Sequence, residues 1–259
     1  MYYVFEKSQL KLYYKEISNI KGKENFLMLH NAGGAHSFFK YQIPFLQNFG
    51  RVIAVDLLGH GKSSKPKREY TIFSYAEDIL SFCKSLNLNN VTIIGLNYGA
   101  NVSIEIANIN QSFIKRLILI EPPIFINNTD KQLALERTKY LASTKKEEYV
   151  KNLIKESFIK VDPKIKTQVL KAYQNVPQEV LVSIYKNLIE WDSNIEQKIQ
   201  AIKIPNLYVL TDAMLCPIDK LIKYNNITIS KVVGSSYWAT LEVPEQINAM
   251  ISRLILLNN

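Results

Sequence analysis

The stretch Val91-Thr-Ile-Ile-Gly-Leu-Asn-Tyr-Gly-Ala-Asn-Val-Ser-Ile-Glu-Ile-Ala107 limits what this chain can fold into more than any other. Its β-branched opening, Val91 to Ile94, reads as a buried strand. Gly95 and Gly99 bracket a tight turn centred on Asn97, after which Val102, Ile106 and Ile109 recur at helical spacing. Strand, Gly-x-X-x-Gly turn and helix make the frame of a nucleophile elbow. Such a turn holds its central residue in a strained backbone conformation, and the glycines let strand and helix approach without side-chain collision. In the reacting version the central residue is Ser. Here it is Asn97, whose delocalised amide nitrogen has no lone pair with which to attack a carbonyl.

The flanking sequence repeats the alternation. Residues 2–18 alternate like a hairpin with Lys7-Ser8-Gln9 as its turn. Asn25–His30, Arg51–Asp56, Phe113–Ile120 and Asn206–Thr211 are apolar runs that read as buried strands, with Ile227–Val233 as the last. Helical spacing is expected through Phe38, Phe39, Ile43 and Leu46, from Thr71 to Leu86, over Pro217–Tyr224, and over Pro244–Leu257. Near-continuous apolar strands alternating with helices predict an α/β fold, a mostly parallel central sheet with helices on both faces. Between Asn127 and Glu196 the pattern becomes Lys- and Glu-rich and helical, with no convincing strand. The expected organisation is a core over 1–126 and 199–259, with a helical cap over 127–198 inserted at the sheet's carboxyl edge, where open α/β sheets place ligands.

Bulk properties narrow the function. At 259 residues the chain buries enough surface to need no disulfide or metal staple. Its two cysteines, Cys83 and Cys216, have no metal or redox spacing, which favours reduced thiols and a cytoplasmic location. No cofactor motif is present. The first residues lack a signal peptide's basic segment and apolar core, and no run of apolar residues is long enough to span a membrane. The net charge of +9, from 32 Lys plus Arg against 23 acids, is scattered. The tightest clusters, Lys62–Arg68 and Lys145-Lys146, are short, so no nucleic-acid surface is expected.

Several motifs, in order along nearly the whole chain, resemble the α/β-hydrolase superfamily. His30-Asn31-Ala32 is similar to its His-Gly-x oxyanion loop. Asp56-Leu-Leu-Gly-His-Gly-Lys-Ser63 is similar to the Asp-x-x-Gly-x-Gly-x-Ser loop of the esterase, epoxide-hydrolase and dehalogenase branches. Gly95-Leu-Asn-Tyr-Gly99 fits the elbow, and Gly234-Ser-Ser-Tyr-Trp-Ala-Thr-Leu-Glu-Val-Pro-Glu245 is similar to the segment that carries the catalytic His. The resemblance implies an α/β-hydrolase fold with a triad running nucleophile, acid, His. The equivalent positions here are Asn97, Met214 and Tyr237. It also implies an oxyanion hole from the backbone N–H groups of Ala32 and Tyr98, with Asn31, His36 and Trp238 bordering the pocket.

A phenol with a pKa near ~10 is a poor general base, so the chemistry of all three triad positions is replaced. His30 and His60 occupy loop positions that are structural in such proteins, whereas His36, Glu121, Asp212 and Cys216 are the remaining candidates for recruitment. The first expectation is a non-catalytic protein that binds a small apolar ligand, or one bearing a carbonyl or carboxylate, or that serves as an interaction module. The second is an enzyme of lyase or isomerase type, in which Asn97 and Tyr237 hold substrate and donate protons. The third is an esterase-type hydrolase with one of those residues recruited.

Overall fold

The apolar runs assemble into one sheet. A computed structural model of the protein describes residues 1–7, 10–18, 22–143, 145–157 and 162–257. Its strands are β1 (Tyr2–Lys7), β2 (Leu10–Ile17), β3 (Glu24–Leu29), β4 (Gly50–Val55), β5 (Val91–Leu96), β6 (Ile114–Ile120), β7 (Asn206–Leu210) and β8 (Ile227–Lys231). They lie in the order β1-β2-β4-β3-β5-β6-β7-β8. β2 runs antiparallel to β1 and to β4, and every other neighbouring pair is parallel. All six residues of β5 are buried, as expected of a central strand covered on both faces. The expected hairpin forms as β1–β2, while Ser8 and Gln9 of its turn lie outside the described residues.

The helices are α1 (Gln42–Leu46), α2 (Ile72–Ser85), α3 (Tyr98–Ile109), α4 (Asn128–Leu141), α5 (Lys146–Ser157), α6 (Pro163–Gln174), α7 (Gln178–Asp192), α8 (Ile195–Ala201), α9 (Ile218–Leu221), α10 (Ala239–Glu242) and α11 (Pro244–Leu257). α2 illustrates how sequence becomes element. Thr71 and Ser74 form a reciprocal capping box, and Ile72, Tyr75, Ala76, Ile79, Phe82 and Cys83 form its buried stripe. The single helix expected through Phe38–Leu46 is instead a 3-10 turn, His36–Phe39, followed by α1. In a continuous helix, the ring of Pro44 would clash with the Lys40 carbonyl. The helix expected over Pro217–Tyr224 shortens to α9.

Register is what builds the site. Leu29 of β3 pairs with Gly95 of β5, Gly95 with Leu119 of β6, and Leu119 with Tyr208 of β7. The segments that leave these strands therefore emerge side by side at one edge. Helices α4 to α8 lie between β6 and β7 in the chain, and α4 to α7 form one segment of it. The segment's entry and exit are tied together, because the Asp192 carboxylate accepts the N–H groups of Phe125 at 2.9 Å and Ile126 at 2.7 Å. α7 is fixed to the core by Trp191 Nε1, which donates to Glu105 of α3 at 2.6 Å, and by Ser183 and Asn187, which accept N–H groups at Tyr70 and Ile72. α8 straddles the expected cap boundary at residue 198. It lies against α3, where Asn108 Nδ2 donates to the Lys198 carbonyl at 3.1 Å.

Candidate functional site

Asn97 follows β5 with φ 50° and ψ −115°, outside the helical and extended regions. A non-glycine residue held there costs on the order of 1–3 kcal/mol. The surroundings fix it. Its N–H donates to the Ile120 carbonyl at 2.7 Å, its carbonyl accepts from Ala100 N at 2.8 Å, and its side-chain Nδ2 donates to the Glu121 carbonyl at 3.3 Å. A Cβ at Gly99 would collide with the Leu29 carbonyl, and one at Gly95 with the backbone of Ala100. The turn predicted from sequence is therefore built, with an amide at its centre.

The neighbouring loops are pinned by two neutral histidines. His30 Nε2 accepts the Leu57 N–H at 3.0 Å while its Nδ1 donates to the Asn31 carbonyl at 2.8 Å. His60 Nε2 accepts the Gly33 N–H at 3.1 Å while its Nδ1 donates to the Leu58 carbonyl at 3.1 Å. A ring nitrogen that accepts a backbone N–H carries no proton, and burial holds the two pKa values down to about 4 and about 3.

His36 corrects an expectation. It does not border the pocket, because its Nδ1 lies 2.8 Å from Asp56 Oδ1 and its backbone N–H donates to the same oxygen at 2.7 Å. The rings of Tyr2 and Tyr13 flank it. Burial pushes the Asp56 carboxyl up, but the hydrogen bond and charge of His36 more than offset this, and its pKa is lowered.

A cavity of about 260 Å³ opens over Asn97. Asn31, Ala32, Asn97, Tyr98, Met214, Tyr237 and Trp238 all line it, so the three positions expected to correspond to a triad share one space. Tyr98 and Trp238 are buried, with Trp238 edge-on to Tyr237 at 5.7 Å. Met214 is 69% exposed at the mouth and has φ 51°. The N–H of Tyr98, first residue of α3, has no carbonyl four residues back within its own helix. It shares the cavity wall with Ala32, the two places where an oxyanion hole is expected.

The candidates for recruitment are engaged elsewhere. The Glu121 carboxylate accepts the N–H groups of Thr211 and Leu215, clamping the loop that carries Met214. Burial raises its pKa further than those bonds lower it. Asp212 accepts the Gly234 N–H at 2.8 Å and pairs with Lys231 at 3.2 Å. Cys216 is a buried free thiol whose pKa is raised by burial and by the Glu121 charge. None of the three lines the cavity.

The helical wall supplies residues that sequence reasoning missed. On α4, Asp130, Leu133, Ala134 and Arg137 face the cavity at i, i+3, i+4 and i+7. The Arg137 guanidinium hydrogen-bonds Tyr237, and Tyr173 of α6 hydrogen-bonds Tyr185 of α7. That α4 spacing was the available signal.

A profile of the alpha/beta hydrolase fold matches residues 25–153. The structure superposes on an esterase from Thermogutta terrifontis with a TM-score of 0.86, covering 100% of this chain and 99% of that one at 16% identity. The chain has the α/β-hydrolase fold. The enol-lactonase from Burkholderia xenovorans LB400 is similar at TM-score 0.85, with 17% identity over 98% of this hydrolase-fold chain and 99% of the lactonase. The haloalkane dehalogenase of Agrobacterium fabrum is 31% identical over 96 residues, 37% of this chain and 32% of the dehalogenase. The match thus spans about a third or less of the length of the curated relatives. Among the described residues of this hydrolase-fold protein, no helix is long and apolar enough to cross a membrane.

Proposed function

We propose that this protein uses the α/β-hydrolase frame to bind a small organic molecule without hydrolysing it through the elbow. The observation that carries the reading is the company Asn97 keeps. It faces the cavity together with Met214 and Tyr237, and among the described residues no Ser, Cys or His side chain lines that space. An amide, a thioether and a phenol supply neither an activated nucleophile nor an imidazole base. The backbone donors of Ala32 and Tyr98 lie on the same wall and suit a carbonyl or carboxylate oxygen. The similar proteins named for esterase, lactonase and dehalogenase activity supply the small organic compounds to try first.

The test is treatment with a fluorophosphonate and with p-nitrophenyl acetate, followed by mass spectrometry and initial-rate measurement. The expected outcome is no adduct at any cavity residue, and no ester turnover that depends on Asn97. A stoichiometric adduct in the cavity, or esterase activity abolished by Asn97→Ala, would overturn the proposal.

A second reading rests on Tyr237. Arg137 can only donate, so it occupies the phenol oxygen and leaves the phenol proton available to a bound molecule. That arrangement suits proton donation in a lyase or isomerase step. Turnover that survives Tyr237→Phe removes it.

A further inference from the structure

We infer that the molecule this cavity takes is a small carboxylate on an aromatic or short apolar body, anchored by Arg137. The inference rests on the binding reading above and names the ligand class for the same cavity.

The arginines of the chain make the case by contrast. Arg51 pairs with Glu16 at 2.7 Å, Arg68 pairs with Asp78, and the buried Arg116 pairs with Glu24 at 3.1 Å. Arg253 is exposed to solvent on α11. Arg137 alone places a half-buried guanidinium on a cavity wall, and among the described residues no carboxylate forms an ion pair with it. The groups that act on it are phenols, Tyr185, Tyr149 and Tyr237, the last of which it hydrogen-bonds, while Glu136 and Glu148 share a second cavity with it. Phenols satisfy some of its five N–H donors but return no charge. A guanidinium cannot shed its proton, so an anion brought from outside would find it charged and without an ion-pair partner.

Among the described residues the one carboxylate on the cavity wall, Asp130, is exposed and sits seven residues back along α4, about 10 Å by helical rise. It is too far to pair with Arg137 and leaves the guanidinium fork open to a planar two-oxygen group. A carboxylate matches that fork with two parallel hydrogen bonds. The remaining lining fits the rest of such a molecule. Tyr173, Ile184, Leu188 and Trp238 present rings and branched apolar side chains. A volume of about 260 Å³ is ample for a molecule of about ten non-hydrogen atoms, since one water needs only roughly 10–15 Å³ of such space.

The experiment uses the full chain and two isosteric probes, phenylacetate and phenylacetamide, titrated by calorimetry and by saturation-transfer NMR. The wild type should bind phenylacetate at least tenfold more tightly than phenylacetamide. In Arg137→Gln that ratio should fall to within about twofold of one, through loss of phenylacetate affinity with the amide's affinity held. Arg137→Lys, which keeps the charge but not the fork, should fall between. The Gln variant also controls for the net charge of +9, which would favour any anion and which it changes by a single unit.

Equal affinity for both probes in the wild type, or a ratio unmoved by Arg137→Gln, would overturn the inference while leaving a ligand-binding cavity in place. A variant with a lowered melting temperature but an unchanged ratio would likewise overturn it, and would mark Arg137 as a strap between α4 and Tyr237. No saturable binding of either probe by the wild type would overturn both the inference and the binding reading beneath it.

Discussion

The sheet edge below the cavity and the helices above it differ first in backbone strain. Past the ends of β5 and β6, and in the loop after β7, the non-glycine residues Asn97, Glu121 and Met214 have φ values of 50°, 46° and 51°. Phe125, with φ 56°, stands just before the helical layer. Over residues 128–192 no described non-glycine residue has a positive φ. Three such residues at one edge persist only because packing and backbone hydrogen bonds over-determine them. The shape of the lower wall therefore rests on its backbone, and its side chains can vary without losing it. The upper wall is helical, and its α4 contributes the charged groups of the cavity, Asp130 and Arg137.

The sharpest test of that division is acid. All three histidines of the chain belong to the sheet side, and His30 and His60 are the buried, neutral ones. Their folded pKa values, about 4 and about 3, lie below the ordinary 6.5, so the unfolded chain takes up protons that the folded one refuses. Stability must then fall as pH drops below 6.5, by about 1.4 kcal/mol per pH unit for each ring. Glu121, Asp192 and Glu242 have raised pKa values, mainly from burial, and act in the opposite sense. Asp56, with its lowered value, adds to the loss once the pH falls past the ordinary carboxylate range. Urea unfolding at pH 7, 6, 5 and 4 should show a net loss on the order of 5 kcal/mol, and His60→Gln should flatten the slope by about one ring's share. A profile flat down to pH 4 would break the comparison.

Next in size is Gly99→Ala. The added Cβ would meet the Leu29 carbonyl, a backbone atom of a central strand that has nowhere to move. A loss of about 3 kcal/mol or more in urea is expected. Glu121→Gln should cost about 2 kcal/mol, since an amide oxygen cannot serve both Thr211 and Leu215 and one buried N–H loses its acceptor. Hydrogen exchange should then quicken in residues 211–215 and remain unchanged in α4 to α7. Quickening across the helices instead would show that the two walls are coupled.

What was legible in the sequence follows the same division. Gly95, Gly99 and the β-branched run before them could be read because close approach of strand and helix leaves few residue types possible. The convergence of Asn97, Met214 and Tyr237 was legible through motif order alone. His36 was misplaced because its partner, Asp56, is fixed by the pairing of β3 with β4, which local sequence does not express. Arg137 went unread for a related reason. On a polar helix with a weak apolar stripe, whether an arginine faces water or a cavity is decided by how α4 lies over the sheet.

The smallest effect concerns the elbow itself. In Asn97→Gly two contributions oppose each other. Relief of the strained φ/ψ gains roughly 1–3 kcal/mol, since glycine adopts this region freely. Against it stand the extra backbone entropy of glycine in the unfolded chain, about 0.5–1 kcal/mol, and the lost bond from Nδ2 to the Glu121 carbonyl. At 3.3 Å that bond is long and belongs at the weak end of its range. The balance should leave the variant equal to the wild type or more stable by about 1 kcal/mol, measured as a shift in urea midpoint at constant slope. The strain at Asn97 would then be a cost carried for the geometry of the turn, with the side chain dispensable to folding. Loss of stability on this change would instead make the amide a structural clasp between β5 and β6, and the lower wall would hold its shape through that side chain as well as through its backbone.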